Sequence, residues 1–130
     1  MSRTVLVIED NEQNRYLATF LLERSGFTVA SAADGLSGVH MAQTLLPDLI
    51  LLDIQLPTMD GHAVARLLRA DATLSRIPIV AVTSYAMAGD RERCLQAGCD
   101  GYMEKPINPD TFIEEISAYL GVLPASPGPA

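Results

Sequence analysis

Residues 48–53 read DLILLD, and this short segment decides the fold class. Its four consecutive apolar residues do not alternate with polar ones, so they predict a strand that is covered on both faces. A strand buried on both faces is typical of a parallel sheet with helices packed on either side. The run stops abruptly at the carboxylate of Asp53.

Strand-length apolar segments and amphipathic segments of helix length alternate along the rest of the chain. The predicted strands are 4–9, 27–31, 49–52, 77–82 and 101–103. The predicted helices are 12–24, 62–70 and 87–97, one that starts at an Asp34 cap and stops before Pro47, and one that starts with an Asn108 cap and Pro109 and stops before Gly121. This order predicts an α/β fold, a flavodoxin-like (βα)5 three-layer sandwich whose parallel five-stranded sheet has the order 2-1-3-4-5.

The apolar residues of three helices recur at helical spacing and predict which side of each helix is buried. The expected buried positions are Leu17, Phe20 and Leu21 in the first helix, Leu36, Val39, Ala42 and Leu46 in the second, and Phe112, Ile113, Ile116 and Leu120 in the last. A turn glycine, Gly98, is expected to end the fourth helix in a left-handed conformation.

Length and charge limit the classes of function. A chain of 130 residues is one domain, which we assign to residues 1–121, and the tail 122–130 with three prolines is expected to be disordered. The formal net charge of −7 disfavours binding to nucleic acid or to an anionic membrane. Neither a signal peptide nor a membrane span is recognised, and the two cysteines fit no zinc pattern, so a cytoplasmic location is expected.

Polar residues follow the predicted strands at the points where the strands end. Glu9 ends the first strand and Asp10 follows it, Asp53 follows the third strand, Thr83 the fourth and Lys105 the fifth. Because ligands of open α/β sheets bind outside the carboxyl ends of the strands, at the switch point between strands one and three, these side chains are expected to meet in one pocket.

Carboxylates crowded into such a pocket repel one another, so without a cation at least one is expected to have a raised pKa. A hard divalent cation would relieve the repulsion. Mg²⁺ fits best, because it takes one or two protein carboxylates with water and a phosphoryl oxygen, whereas Ca²⁺ needs more ligands. Taken alone, Glu9 and Asp10 are better explained as favourable charges at a helix N-terminus.

Asp53 is harder to explain structurally, since a carboxylate that ends a doubly buried strand loses hydration unless it has a ligand or partner. A carboxylate can also accept a phosphoryl group, a reaction that needs positioning and neutralisation of charge. Lys105 can supply a positive charge and Thr83 a hydroxyl donor, although a strand-end Thr is common without such a role. The convergence of these residues carries the interpretation.

The motifs together resemble the receiver domain of response regulators in two-component signalling, over residues 4–120. The segments that carry the resemblance are 5–11 (VLVIEDN), 48–53 (DLILLD), 56–61 (LPTMDG), 81–84 (AVTS) and 101–107 (GYMEKPI). Residues 83–90 and 97–102 are similar to those of stand-alone and hybrid-kinase receivers. Leu56 stands where the family more often has Met, which affects no chemistry.

The resemblance implies a role for each site residue. Asp53 would accept the phosphoryl group, Lys105 and Thr83 would hold phosphoryl oxygens, Tyr102 would move inward with Thr83 as a switch, and Mg²⁺, or Mn²⁺ as a substitute, would be held by Glu9, Asp10, Asp53 and the backbone carbonyl of Gln55. The resemblance also implies a cis peptide bond between Lys105 and Pro106.

The resemblance also implies the partners. A sensor histidine kinase or a histidine phosphotransfer protein would donate the phosphoryl group, and a protein effector would bind the face formed by the fourth helix, fifth strand and fifth helix. The chain would catalyse its own phosphorylation and dephosphorylation without turning over an external substrate. It would be a monomer or a weak dimer.

Three alternatives remain open. A haloacid-dehalogenase-like phosphatase also uses an aspartyl nucleophile, but it usually has a second Asp two residues later, where this chain has Gln55. A flavodoxin-like binder of small molecules would need glycines in the first loop to bind phosphate, and residues 9–14 contain none. A receiver-shaped scaffold that never accepts phosphate is excluded only by chemistry.

Overall fold

The computed structural model describes residues 3–56, 58–84 and 88–121. Its strands and helices follow one another in strict alternation, as the sequence predicts. They are β1 (Thr4–Ile8), α1 (Glu12–Arg24), β2 (Thr28–Ala32), α2 (Gly35–Leu45), β3 (Leu49–Asp53), α3 (Gly61–Ala70), β4 (Ile79–Thr83), α4 (Asp90–Gln96), β5 (Gly101–Glu104) and α5 (Phe112–Leu120), with one 3₁₀ turn (Ala72–Leu74) after α3.

The five strands form one sheet in the order β2-β1-β3-β4-β5, and every neighbouring pair is parallel. This confirms the predicted topology. Strands β3 and β4 are buried along their whole length, whereas β2 at the edge is partly exposed.

Two apolar cores lie on opposite faces of the sheet, because successive side chains of a strand point to opposite sides. Ile50 and Leu52 pack with residues of α2, α3 and α4, and Leu49 and Leu51 pack with residues of α1 and α5. Full burial of one such side chain contributes roughly 1.5–3 kcal/mol. The protein is therefore the predicted three-layer sandwich.

Side-chain caps begin three of the helices. Asn11 accepts the N–H of Asn14 at 2.9 Å, and Asp34 accepts the N–H of Ser37 at 2.8 Å. Asp60 caps α3 in the same way. Because Asn11 caps α1, the Asp10 carboxylate lies outside the helix.

The predicted start of α5 is wrong by a few residues. The helix begins at Phe112 and not at Pro109. Asn108 does form a cap-like turn, because its side chain accepts the N–H of Asp110 and its carbonyl accepts the N–H groups of Thr111 and Phe112. The Asn108 side chain therefore caps this turn, and the regular helix starts after the turn, at Phe112.

The bounds of α4 also differ from the prediction. The helix covers Asp90–Gln96, and Gly89 with φ +85° precedes it. Residue 87, the predicted first residue, lies outside the described residues, as does the tail 122–130. The left-handed conformation of Gly98 is confirmed, with φ +112°.

The predicted buried faces of α1 and α2 are partly wrong. Leu36 and Leu46 are 61% and 54% exposed, and Phe20 is also exposed. The buried residues of α2 are Gly35, Gly38 and Ala42, of which Ala42 was among the predicted positions. A Cβ on Gly38 would lie 2.5 Å from the Ile8 side chain, so the helix lies too close to β1 for a larger residue.

The buried face of α1 is formed by Ala18 and Leu22. Each lies one position after a predicted residue: Ala18 follows Leu17, and Leu22 follows Leu21.

Among the residues described, no helix is both long enough and apolar enough to cross a lipid bilayer. The cysteines Cys94 and Cys99 are both buried and free.

Gly61 holds the start of α3 against the end of β3, directly behind Asp53. Its N–H donates to the carbonyl of Ile54 at 3.0 Å. A Cβ on Gly61 would lie 2.4 Å from the Ile54 Cα and 2.8 Å from the Asp53 carbonyl oxygen. Backbone atoms cannot move away as a flexible side chain can, so only glycine fits here.

We predict that Gly61→Ala lowers the free energy of unfolding by about 2 kcal/mol or more, because the added methyl group overlaps the backbone. Urea denaturation measures the change. Gly26→Ala is the control: Gly26 has φ +95°, and an added Cβ would meet nothing within 4 Å, so this change introduces only backbone strain. That strain costs about 1 kcal/mol. Equal losses in the two variants would contradict the close approach at Gly61.

Candidate functional site

The polar residues predicted at the strand ends lie together at the carboxyl edge of the sheet. Asp53 is the last residue of β3 and Thr83 the last residue of β4, and both are fully buried. Backbone pairing continues past the strands: Ile54 donates to Val82 at 3.0 Å, and Lys105 donates to Thr83 at 2.8 Å. The main chain of the sheet thus fixes the relative positions of these groups.

Three carboxylates and one ammonium group form the centre of the pocket. Oxygen atoms of Glu9, Asp10 and Asp53 all lie within 4.8 Å of one another. The Lys105 Nζ lies 2.9 Å from Glu9 Oε1 and 3.2 Å from Asp53 Oδ2. Glu9 and Asp53 are buried and Asp10 is exposed, so the pocket is a cleft with a negative floor that opens to solvent.

The electrostatic environment of Asp53 is unfavourable for its charge. The side chain is only 2% exposed, and this burial, aided by the neighbouring Glu9, raises its pKa to about 7. A hydrogen bond from the Gln55 N–H, at 2.9 Å from Oδ1, and the charge of Lys105 act in the opposite direction. The direction agrees with the raised pKa that the sequence predicts for one carboxyl group of the pocket, but burial contributes more to it than repulsion by Glu9.

Lys105 is the counter-charge for the buried carboxylates. Burial by itself would lower the pKa of its ammonium group, but the hydrogen bond to Glu9 and the charge of Asp53 outweigh burial and raise the pKa. Lys105 therefore remains protonated in the pocket at neutral pH.

Gln55 connects the loop after β3 with the end of β4. Its side-chain amide donates to the Thr83 hydroxyl, and its amide oxygen accepts the N–H of Ser84 at 3.0 Å. The sequence analysis assigns the backbone carbonyl of Gln55 to the site, as a metal ligand. The contacts of its side chain were not foreseen, because no local pattern links residue 55 to residues 83 and 84.

Arg15 is a second residue of the site that was not predicted from the sequence. Its guanidinium donates to the carbonyl of Glu9 at 2.8 Å and to that of Asp10 at 3.4 Å, and the Asn11 N–H donates to the Glu9 carboxylate at 3.1 Å. These contacts hold the acidic segment in a fixed turn. A signal was present in the sequence: a basic residue in the first turns of the helix that follows an acidic pair.

Tyr102 lies apart from this pocket. It stands on β5 opposite Ala81 and is partly buried against the core on the α2, α3 and α4 side. Burial raises the pKa of its hydroxyl. The peptide bond between Lys105 and Pro106 is cis, as predicted.

The donor set fits a small hard cation. All the grouped side chains offer carboxylate oxygens, the ligands that Mg²⁺ prefers. Oxygen ligands at about 2.1 Å from Mg²⁺ lie at most about 4.2 Å apart across an octahedron, so a spread of up to 4.8 Å needs only a small contraction. The unfavourable environment of the Asp53 charge also favours a bound cation, because a cation would compensate the negative charge.

A doubly wound sheet with a charged pocket at the switch point of its strand order defines a class of α/β domains that bind ligands between the first and third strands. Within this class, the chain belongs to the response regulator receiver domain family, whose model matches residues 5–117. It is a signalling domain of two-component systems, and the family predicted from the sequence motifs is confirmed.

Relatives with known names support this assignment. The chain is 46% identical to the polar-differentiation response regulator DivK of Brucella ovis over 121 residues, which cover 93% of this chain and 98% of DivK.

Solved structures agree in fold. The receiver domain of the sensor histidine kinase PA1611 from Pseudomonas aeruginosa, solved with a magnesium ion in its active-site cleft, superposes with a TM-score of 0.86 at 36% identity over 93% of this chain and 99% of that one. The chemotaxis protein CheY4 of Vibrio cholerae superposes with a TM-score of 0.87 at 25% identity over 92% and 99%.

We predict that Asp53→Asn stabilises the metal-free protein at neutral pH. The amide can still accept the Gln55 N–H, and it removes a buried negative charge beside Glu9. A raised pKa means that stability is fully present below about pH 4 and is lost as pH rises towards 7. The gain in free energy of unfolding should therefore grow between about pH 4 and pH 7 to about 2 kcal/mol and then stay constant. Urea denaturation in chelator measures it.

The matched variant Lys105→Met should have the opposite effect. It leaves the buried Glu9 and Asp53 carboxyl groups without a cation and is expected to lower the free energy of unfolding by about 3 kcal/mol at pH 7.5. If both variants shifted stability in the same direction, the electrostatic description of the pocket would be wrong.

Proposed function

We propose that Asp53 accepts a phosphoryl group from the phosphohistidine of a sensor histidine kinase or a histidine phosphotransfer protein, and that the modification switches a protein-binding surface. The observation that carries this proposal is the position of the Asp53 carboxylate, buried at the end of β3 between two acidic residues and an ammonium group. Receiver domains act with histidine kinases and effectors as a class, and the family assignment supports such partners.

The transfer exchanges one bond to phosphorus for another. A carboxylate oxygen of Asp53 attacks phosphorus, the new O–P bond forms as the N–P bond of phosphohistidine breaks, and the imidazole nitrogen leaves with the electron pair and takes up a proton. Such a reaction requires mainly positioning and neutralisation of charge. Lys105, at 3.2 Å from Asp53, and the Thr83 hydroxyl, at the end of the adjacent strand, bind the oxygens of the transferred group.

Glu9, Asp10, Asp53 and the backbone carbonyl of Gln55 hold the cation, which is Mg²⁺ or, as a substitute, Mn²⁺. When bound, the ion neutralises charge on the carboxylates and on the phosphoryl group. The structure with magnesium in the cleft of the PA1611 receiver domain supports this assignment. The pocket of this chain offers the same kind of ligand, oxygen atoms of three carboxylates.

The receiver domain, residues 1–121, catalyses its own phosphorylation and dephosphorylation and turns over no separate substrate. The position of Gln55 supports this choice over a phosphatase of the haloacid dehalogenase type. An Asp would be needed there as a general acid and base, and the Gln55 amide, which has no titratable proton, is hydrogen-bonded to Thr83 and Ser84.

We predict that a small-molecule phosphodonor adds one phosphoryl group to the wild-type protein only when Mg²⁺ is present, as measured by intact mass. Asp53→Asn should show no addition because the nucleophile is lost. Asp48→Asn is the control, since Asp48 is an exposed carboxylate at the opposite end of the same strand, and it should still be modified. Modification of Asp53→Asn to the wild-type extent would refute the assignment.

The output surface is the face formed by α4, β5 and α5. Thr83 and Lys105 lie at the ends of β4 and β5, so a phosphoryl group that draws on both pulls directly on the segments that lead into α4 and out of β5. Tyr102 on β5 is partly buried against the core beneath α4. It acts as a switch that moves inward when Thr83 is drawn to the phosphoryl group. The unmodified protein is a monomer or a weak dimer, and it acts in the cytoplasm, where its two free buried thiols stay reduced.

We predict that beryllium fluoride with Mg²⁺, which mimics a phosphoryl group on a carboxylate, shifts backbone amide resonances in α4, β5 and the start of α5. Resonances of α2 should change little, because this helix packs on β1 and β2, at the other end of the strand order from β5. The Asp53→Asn protein under the same conditions is the control and should show no shifts. Changes confined to the residues of the pocket would contradict this output surface.

A further inference from the structure

The Gln55 side chain joins the two loops that border the acceptor site. At one end its Nε2 donates to the Thr83 hydroxyl, and its Oε1 accepts the N–H of Ser84 at 3.0 Å. At the other end its own N–H donates to Asp53 Oδ1 at 2.9 Å. One residue thus connects the acceptor carboxylate with the end of β4.

These contacts fix the position of the Thr83 hydroxyl oxygen. The hydroxyl accepts the amide N–H, so the oxygen cannot move towards a group on Asp53 without stretching or breaking this bond. Ser84 is exposed, and its N–H bond to Gln55 is a second restraint on the same turn of chain. The first restraint acts on Thr83, which the proposed switch must displace, and the second acts on the residue next to it.

We propose that the Gln55 side chain is a latch that holds the end of β4 in the resting conformation, and that phosphorylation must open it. This inference rests on the proposed function, because it takes Asp53 as the acceptor and Thr83 as the group drawn to it. The latch stabilises the resting state selectively, so it lowers the fraction of protein that is ready to bind a phosphoryl group.

The geometry of the amide suits this role. A glutamine side chain offers a donor to the hydroxyl and an acceptor to the backbone N–H at the same time. Asparagine is shorter by one methylene and cannot span both groups from the same backbone position. A leucine has similar bulk and neither hydrogen-bonding group, so Gln55→Leu removes the latch without adding charge to the acidic pocket.

The first test concerns the resting protein alone. In the metal-free wild type, the Ser84 amide should exchange its hydrogen with solvent slowly for an exposed residue, as measured by NMR. Gln55→Leu should speed up this exchange about fivefold or more, which corresponds to the loss of one net hydrogen bond. Gln43→Leu is the matched control. It also removes an amide hydrogen bond, the one that Gln43 donates to Asp71 at 3.2 Å, but far from the loop of Ser84. Exchange of the Ser84 amide should therefore be unchanged in this variant.

The second test measures the affinity for beryllium fluoride at saturating Mg²⁺. In the wild type, part of the free energy of binding is used to break the contacts of Gln55 with Thr83 and Ser84. Gln55→Leu lacks these contacts and should therefore bind beryllium fluoride about fivefold more tightly. A merely structural role, or a role in holding the phosphoryl group, would weaken binding instead. If Gln55→Leu does not fold, Gln55→Asn serves in both tests with the same expected directions.

The outcomes separate the latch from the proposed function. Unchanged exchange at Ser84 in a folded variant overturns the latch, whatever Asp53 does. Faster exchange with unchanged or weaker binding of beryllium fluoride overturns its opposition to activation. If the wild type takes neither a phosphoryl group nor beryllium fluoride, the proposed function fails together with that opposition, while the Ser84 amide still decides whether the resting contact exists.

Discussion

The burial of one carboxylate at the end of a fully buried parallel strand is the constraint on which the rest of the structure depends. Asp53 is 2% exposed, and a charged group in that position loses most of its hydration. The chain offsets this loss with a backbone N–H from Gln55 and the ammonium group of Lys105. The offset is incomplete, because the pKa of Asp53 still rises to about 7, so a further positive charge beside it would stabilise the carboxylate.

The topology of the sheet brings the buried carboxylate and the acidic pair together at one cleft. Strands β1 and β3 are neighbours, yet the chain leaves them towards opposite faces, so a cleft opens between their carboxyl ends. The N-terminus of α1 faces the same cleft, where its partial positive charge favours the acidic pair of Glu9 and Asp10. The two apolar cores lie on the two faces of the sheet, and one of them extends to Ile54 and Leu56 in the loop after Asp53.

Much of the fold and of the site could be predicted from the sequence because both depend on local signals. The uninterrupted run in β3, the cap at Asp34 and the turn at Gly98 are each set by a few neighbouring residues, and the polar strand ends follow from them. The predictions failed where tertiary packing decides. Leu36 and Leu46 satisfy helical spacing but are exposed, since Gly38 lets α2 lie directly on Ile8, and spacing alone cannot show such an approach. The side-chain bridges of the site were missed for a related reason: Gln55 reaches residues that follow it by 28 and 29 positions, and no pattern in the sequence records that separation.

The separation between apolar cores and hydrogen-bonded loops explains how such a domain can switch without unfolding. The cores stabilise the sheet through many buried side chains, whereas the pocket loops are held by a few polar contacts, each worth about 1 kcal/mol. A group bound at Asp53 can rearrange contacts of that size, because two conformations that differ by a few kcal/mol are both accessible. A charged phosphoryl group could not be accommodated in either apolar core, because it would lose its hydration there. The polar edge is therefore the part of this fold where a chemical change on one carboxylate can be converted into a change of shape.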